Sequence, residues 1–346
     1  MKIQAVFLIY NCQELIINTL TSYLNKVDRI MIFIDKKSSD NTEALVNDFR
    51  RAHLKADIEV HKIKFDGFAN TRNACLDKSY NIDYDWTMMF DDSFILETNN
   101  QESLYNELMI YNNKKDINCI SISIQTKTYD KKSNASYPSK RIIRTVSRIR
   151  YTGTIHEEFA SASHATLLHS RIIDYKSKEA FERSCNRIDY DIQQLKGLTD
   201  NRSLFLRANM EIILLERGRT TIDNCIQRYA EYIIKSQCTV EEEAYVAMTT
   251  ISELWFEKFE RGECDVDELA DNCIFWYIRS AVTFPNRAGE SYFKLFIITN
   301  NIRHLELAYK NRFLKEHRLP MNENFYSYGT RVGIIESEYN KRVNQL

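Results

Sequence analysis

The sequence predicts an α/β domain, with flanking helices around a mixed sheet, followed by an all-helical region. Over residues 1–92, short apolar runs alternate with segments of helical periodicity, as in repeated βα units. From about residue 177, apolar and aromatic residues recur at helical spacing. Only 8 Gly and 3 Pro interrupt the 346 residues, which favours long helices and packed strands. We therefore expect two domains, 1–175 and 176–346.

The predicted elements follow in order along the chain. In the first domain we expect strands at 3–10, 29–35, 57–63 and 84–90, with helices at 13–26, 42–53 and 68–79. Alternating apolar and polar residues at 117–124 predict a further strand and a mixed sheet edge. In the second domain we expect helices at 203–216, 222–235, 241–260, 266–283 and 288–299. Pairs of these helices, taken as antiparallel, approach the length of a tetratricopeptide unit and give at most two or three units, which favours packing or a polypeptide groove.

Composition bounds the partners and the compartment. Lys and Arg (47) nearly balance Asp and Glu (48), so no overall field favours nucleic acid or a membrane surface. The first apolar run ends before Asn11, too short for a signal peptide or a membrane span. The 8 cysteines include no CxxC pair, which predicts reduced thiols. We expect an intracellular, cytoplasmic protein without a membrane segment or a nucleic-acid partner.

Adjacent carboxylates are the strongest chemical signal. Asp91 and Asp92 follow the apolar run Trp86–Phe90, and a buried strand that ends in acids favours a bound ligand. Mg²⁺ and Mn²⁺ prefer oxygen and are commonly held by one or two carboxylates together with substrate phosphates. Acidic turns are common, but Asp35 also ends a predicted strand at the same sheet edge. This edge is therefore predicted to be a metal–diphosphate site.

Two further segments lead towards that edge. Ser38–Thr42 supplies turn formers and a helix cap, whose N–H groups either face a ligand or form an ordinary cap. Arg72 and Asn73 lie in the first turns of a predicted helix, where a cation opposes the helix dipole. Arg72 therefore pairs with an acid or a phosphate in one interpretation and is solvated in the other.

The segment Tyr151–Phe159 contains His156 and Glu157, and His164 and His169 follow it. A histidine here can complete a metal shell or contact a diphosphate, and a nearby Glu can deprotonate an acceptor hydroxyl. A structural role is the alternative for each of these histidines.

These motifs resemble the family 2 glycosyltransferases of the GT-A (Rossmann-like) fold, in particular the subgroup with a tetratricopeptide-like (TPR-like) helical C-terminal extension. Asp35–Thr42 is similar to the nucleotide loop "D-x-x-S-x-D-x-T", and Phe68–Asn73 to "F-x-x-x-R-N". Gly153–Glu157 is similar to "G-x-x-H-E". Trp86–Ser93 resembles the strand and metal motif "W-x-x-x-x-D-A-D-E", but Ser93 replaces the second acid.

The resemblance implies an inverting glycosyltransferase of the hexosyltransferase type. Its donor would be a nucleotide sugar, by default a UDP-sugar, its cofactor Mn²⁺ or Mg²⁺, and its acceptor a nucleophile on a protein or glycan. By analogy, the catalytic base would be Glu157. The implied donor contacts are Asp35, Asp40, Arg72, Asn73 and Asp91, and the implied metal ligands are Asp91, Asp92 and His169.

Because Ser93 replaces the second acid, another interpretation stays open. The first domain would then bind nucleotide sugars without catalysis, and the helical half would be a protein-interaction scaffold. A nucleotidyltransferase would also use strand-end acids and a metal, but the chain lacks the glycine-rich phosphate loop that such enzymes commonly carry. Measured turnover separates the first two interpretations.

Overall fold

The computed structural model describes residues 1–98, 101–128, 136–155, 157–159, 164–176, 178, 182, 187–239, 241–312 and 328–343. The chain forms two compact units, Met1–Asn186 and Arg187–Leu346. The domain boundary predicted between 175 and 176 falls at the end of the last strand, and it stays a prediction.

The first unit contains the predicted alternation of strands and helices. Its strands are β1 Ile3–Ile9, β2 Arg29–Asp35, β3 Asp57–Ile63, β4 Trp86–Asp91, β5 Phe94–Glu97, β6 Cys119–Thr128, β7 Ser136–Arg144, β8 Tyr151–Thr152, β9 Glu158–Phe159 and β10 His164–Lys176. Its helices are α1 Ile16–Tyr23, α2 Thr42–Ala52, α3 Phe68–Ser79 and α4 Gln101–Asn112.

The main sheet is mixed, in the order β3-β2-β1-β4-β7-β6-β10-β5. The first four strands are parallel, and β7 is antiparallel to both of its neighbours. Leu8 pairs with Asp91 on β4, and Ile9 pairs with Ile34 on β2. Asp35 and Asp91 therefore end their strands at one edge of the sheet, as predicted. The predicted fold class, an α/β mixed sheet with flanking helices and then a helical region, is confirmed.

The central strands are buried on both faces, which explains their continuous apolar sequences. Every residue of β1 is buried. On one face, Phe7, Tyr23 and Phe90 form an aromatic cluster, with centroid distances of 4.9 Å from Tyr23 to Phe7 and 5.2 Å from Tyr23 to Phe90. The Tyr23 hydroxyl donates to the Phe94 carbonyl at 3.0 Å. This packing fixes the end of β4, where Asp91 lies.

A β-bulge interrupts the pairing of β6 with β7. Ile120 pairs with Ile142, but the next residue, Ser121, pairs with Lys140. Arg141 is therefore the extra residue of the bulge. The pairing of β7 with β4 runs from Arg144 only to Ile142, so β7 leaves β4 at this point as well. Because a bulge redirects the side chain at its centre, Arg141 need not follow the alternation of the strand.

The second unit is helical among its described residues. Its helices are α5 Ile188–Leu195, α6 Asn201–Glu216, α7 Ile222–Ser236, α8 Glu241–Glu260, α9 Val266–Leu269, α10 Phe275–Thr283, α11 Ala288–Thr299, α12 Ile302–Lys310 and α13 Tyr328–Val343. A π-helical stretch, Ala270–Ile274, joins α9 to α10, so the single helix predicted at 266–283 is continuous in chain but irregular in winding.

Capping residues set several of these helix starts. The Asp200 side chain accepts from Ser203 N at the start of α6, and Asp265 forms a capping box with Glu268 at the start of α9. Consecutive helices pack against each other, and the TPR-like character stays a prediction. In the described part of the chain, no helix is long and apolar enough to cross a membrane.

Candidate functional site

One asparagine joins the loops that follow β1 and β2. The Asn11 Oδ1 accepts from the backbone N–H of Ser39 at 2.8 Å and from the Ser38 hydroxyl at 3.1 Å. Its own N–H donates to the Ser38 hydroxyl at 3.1 Å. Asn11 has φ of 44°, a left-handed conformation that asparagine tolerates better than most residues. The predicted nucleotide loop is therefore a defined structure at the carboxyl edge of the sheet.

Asp35 and Asp40 hold the same loop in shape. Asp35 is 6% exposed, and its Oδ1 accepts from Lys37 N at 3.1 Å. Asp40 accepts from Thr42 N at 3.0 Å and from Gln13 N at 3.1 Å. Burial raises the pKa of Asp40, but the hydrogen bonds from Thr42 and Gln13 outweigh it and hold the pKa below its usual value. Asp40 thus stays ionised and links both loops.

Arg72 lies at the centre of a cluster of charges. Its guanidinium forms ion pairs with Asp91 and with Glu157. The side chains of Arg72 and Glu157 are only 4% and 6% exposed, whereas Asp91 is 29% exposed. Arg72 also lies over the rings of Phe68 and Tyr151, at 5.4 and 5.5 Å from their centroids. Of the two interpretations of Arg72, pairing with an acid is the one that the structure contains.

Arg141 is a member of this cluster that the sequence analysis did not identify. Its Nη2 lies 3.7 Å from Asp91 Oδ2, and its guanidinium lies 5.2 Å from the centroid of the Phe94 ring. The Arg141 side chain is 14% exposed. A signal was present in the sequence, because the adjacent apolar residues Ile142 and Ile143 break the alternation expected of a strand with one wet face.

Asn73 and Tyr151 connect α3 to the segment that carries Glu157. The Asn73 amide accepts from Tyr151 N at 2.8 Å and donates to the Tyr151 carbonyl at 3.0 Å. The turn after β8 passes through Gly153, whose φ of 97° would strain any L side chain. Glu157 is thereby brought back to Arg72. The structure thus uses Asn73 to hold the backbone, and its predicted role in donor binding stays a prediction.

Ser93, the residue that departs from the family motif, contacts another acid. Its hydroxyl donates to Asp174 Oδ1 at 2.6 Å, and its carbonyl accepts from Tyr175 N at 3.2 Å. Ser93 and Asp174 are both 4% exposed. Asp174 pairs with Phe94 across β10 and β5, so it lies near the carboxyl end of β10, two residues before Lys176. The sequence analysis overlooked Asp174 because its strand could not be placed in the sheet.

The predicted metal ligands are not all brought together. Among the described residues, no three His, Cys, Asp or Glu side chains are grouped as a metal site. His169 lies five residues before Asp174, in the stretch of β10 between Thr166 and Arg171 where the pairing with β6 shifts register. The His169 N–H donates to Glu107 Oε1 at 2.7 Å. His156 lies outside the described residues, as does the His164 side chain.

A divalent cation at Asp91 would also meet positive charge. Both oxygens of the Asp91 carboxylate face guanidinium groups, one from Arg72 and the other from Arg141. Asp92 is half-buried, and its carbonyl accepts from the Thr19 hydroxyl at 2.8 Å. In this arrangement the donor set Asp91, Asp92 and His169 does not fit a cation, because the three described side chains are not grouped as a metal site and Asp91 is neutralised by arginines. The assignment of these three metal ligands stays a prediction.

Comparisons with known proteins give weak likenesses. No family model and no curated protein matches the chain. Among solved structures, it is similar to residues 1–349 of S. aureus TarS, at 14% identity and a TM-score of 0.41 over 82% of this chain and 91% of that one. A second TarS structure contains UDP and gives a TM-score of 0.40, at 14% identity and the same coverage.

A mannosyltransferase from Pyrobaculum calidifontis, in complex with GDP-Man and Mn²⁺, is 11% identical, with a TM-score of 0.42 over 81% of this chain and 86% of that one. TM-scores below 0.5 are too low to carry an activity from these proteins to this chain.

Proposed function

We propose that the first unit binds a nucleotide sugar at the carboxyl edge of β1, β2 and β4 and transfers the sugar to an acceptor. One observation carries this proposal. At this edge, the hydrogen-bonded loops that contain Asn11 and Asp40 lie beside a charged cluster. The cluster consists of two arginines, Arg72 and Arg141, and two acids, Asp91 and Glu157. Ligands of open α/β sheets bind outside the carboxyl ends of the strands. A loop that recognises a nucleoside beside guanidinium groups that favour phosphate suits a nucleotide sugar.

Four of the predicted site residues have proposed roles in donor binding. Asp35, at the end of β2, accepts hydrogen bonds from the base or ribose, and Asp40 keeps the loop in shape. Asp91 is the partly exposed acid of the cluster and faces the ribose. Arg72 lies beside Asp91, where it favours the negative charge of the donor.

Glu157 is the proposed base. It removes the proton of the acceptor nucleophile as that atom bonds to the anomeric carbon, and the bond from this carbon to the diphosphate oxygen breaks. The electron pair leaves with the nucleoside diphosphate, and the anomeric configuration inverts. In the free protein, Arg72 is paired with Glu157, which favours the ionised carboxylate that a base requires.

The donor, the acceptor and the cofactor are finer points of the proposal. A UDP-sugar is the first donor to test, and the acceptor is a protein or a glycan. The helical unit is the proposed surface for the acceptor. Mn²⁺ or Mg²⁺ is the cofactor that the family resemblance implies. Because the described ligands do not fit a cation as they stand, no step above depends on it.

Release of nucleoside diphosphate tests this function. The protein would be incubated with UDP-sugars and GDP-sugars, with and without a mixture of protein and glycan acceptors, each in Mn²⁺, Mg²⁺ or chelator. We expect release from one donor class, and its loss in Asp91→Ala but not in Asp48→Ala, whose carboxylate is 63% exposed on α2. Binding without any turnover would instead favour the non-catalytic interpretation.

A further inference from the structure

Arg141 is the arginine of the cluster whose hydrogen-bonding capacity is least used. Arg72 forms ion pairs with both carboxylates, Asp91 and Glu157. Arg141, in contrast, donates from Nε to the Ser139 hydroxyl at 3.1 Å and approaches Asp91 only to 3.7 Å, which is too long for a hydrogen bond. Its Nη1 is buried and makes no hydrogen bond to any described residue. Nη1 and Nη2 therefore keep hydrogen-bonding capacity for an anion, beside the ion pair with Asp91 and the interaction with Tyr151.

The surroundings of Arg141 indicate a built site and not a stray surface charge. The Tyr151 hydroxyl is buried and interacts with the Arg141 guanidinium, but it makes no hydrogen bond with the distance and angles of a well-formed one to a described residue. Burial raises the pKa of Tyr151, while the positive charges of Arg141 and Arg72 counteract part of that rise. Buried polar atoms that lack well-formed hydrogen bonds are uncommon in proteins, so Arg141 Nη1 and the Tyr151 hydroxyl together point to a ligand that both groups could contact.

The bulge explains how a strand residue reaches this position. Arg141 is the extra residue of β7, at the point where β7 stops pairing with β4. The Phe94 ring lies 5.2 Å from its guanidinium and restricts it on one side. Bulges next to functional sites commonly redirect one side chain, and here that side chain is brought to the carboxyl end of β4.

We infer that Arg141 binds the diphosphate of the donor through Nη1 and Nη2. Its guanidinium then supplies the positive charge that a metal ion would supply if the motif had a second acid in place of Ser93. This inference rests on the proposed function. A planar guanidinium can bond two phosphate oxygens at once, which a lysine cannot reproduce. Asp91, whose charge is neutralised by Arg72, then contacts the ribose and not the diphosphate. The Tyr151 hydroxyl donates to the same phosphate group.

The test compares diphosphates with monophosphates. Calorimetric titrations would use UDP, GDP and dTDP, each beside its monophosphate, on the full chain in chelator and in Mn²⁺. For the nucleoside that binds, we expect Arg141→Met to weaken diphosphate binding by about 10-fold to 100-fold, with little effect on the monophosphate. Arg141→Lys should recover only part of this loss. The matched control is Arg51→Met, which removes an exposed arginine paired with Asp48 on α2.

The possible results distinguish a failure of the inference about Arg141 from a failure of the proposed function. Equal diphosphate affinity in wild type and Arg141→Met would overturn the inference while the proposed function stands. Loss of wild-type diphosphate binding in chelator would also overturn it, because a metal would then hold the diphosphate. If no nucleotide binds the wild-type protein, the proposed function fails first. Thermal midpoints without ligand show that each variant is folded, and Arg141→Lys remains a usable probe if Arg141→Met does not fold.

Discussion

Arg72 and Glu157 form an ion pair although both side chains are almost fully buried and lie on segments far apart in the sequence. Burying two charges is costly unless each is well paired, so such a pair is weak evidence for stability. The buried pair is better evidence for a site whose chemistry requires charged groups at fixed positions. The cluster around Arg72 is therefore the part of the unit in which stability and function are most directly linked.

Removing the Arg72 guanidinium should destabilise the folded protein. Arg72→Met leaves the Glu157 carboxylate buried without its partner, so we expect the free energy of unfolding to fall by about 3–5 kcal/mol. Urea denaturation measures this. Arg72→Met with Glu157→Gln should lose less than Arg72→Met alone, because the uncompensated charge is gone. Arg150→Met, an exposed pair with Asp77, should cost about 1 kcal/mol or less. A loss of that small size in Arg72→Met would contradict the proposed burial.

Glu157→Gln separates proton acceptance from shape. The amide keeps the volume and a hydrogen bond to Arg72, so we expect donor affinity to change little while turnover falls by about 100-fold or more. Steady-state rates at saturating donor would measure this. The neighbouring Glu158 is exposed on β9, so Glu158→Gln should keep full turnover. Full activity in Glu157→Gln, or its loss in Glu158→Gln, would place the base elsewhere.

Placing the acid of the family motif at position 93 should lower the free energy of unfolding. Ser93→Ala removes the hydrogen bond to buried Asp174 and should lower the free energy of unfolding by about 1.5–3 kcal/mol. Ser93→Asp should cost more, because it places a second carboxylate against Asp174 away from water. Asp174→Asn should relieve much of the effect of Ser93→Asp. Unchanged stability in Ser93→Asp, measured by urea denaturation, would indicate that position 93 is open to a metal after all.

Asp40 should give the nucleotide loop a measurable dependence on pH. Its pKa in the folded protein lies below the ordinary value of 3.8, so its stabilising effect is complete above that value and is lost as pH falls through the folded pKa. Asp40→Asn should therefore lower the free energy of unfolding at neutral pH. The difference in free energy of unfolding between wild type and Asp40→Asn should become smaller as the pH falls below about 4. Urea midpoints across this range measure the difference. Asp48→Asn, an exposed acid on α2, is the control, and a constant difference for Asp40→Asn would contradict the linkage.

Much of this architecture could be predicted from the sequence. The strands β1, β2 and β4 are nearly continuous apolar runs, which is the pattern of a parallel sheet buried on both faces, so Asp35 and Asp91 could be assigned to one edge. Arg72 could be recognised because a cation in the first turns of α3 needs a partner. These predictions depend on local periodicity and on a single rule of sheet topology.

The missed residues depend on long-range pairing. Arg141 reaches Asp91 only because of a bulge, and periodicity cannot show which of two misaligned residues turns inward. Asp174 contacts Ser93 because β5 runs back along β10. His169 was selected by analogy with the family, but its place along β10 keeps it from the strand end. Strand register between distant segments is what separates these residues from those that were predicted.

Calorimetric titration of the full chain with nucleoside diphosphates tests the central claim most directly, because it needs neither the acceptor nor the correct sugar. We expect saturable binding of one nucleoside diphosphate, weakened at least about 10-fold in Asp35→Ala and unchanged in Asp48→Ala. No binding of any nucleotide by a folded wild-type protein, or equal binding by Asp35→Ala, would contradict a nucleotide-sugar site at this edge of the sheet.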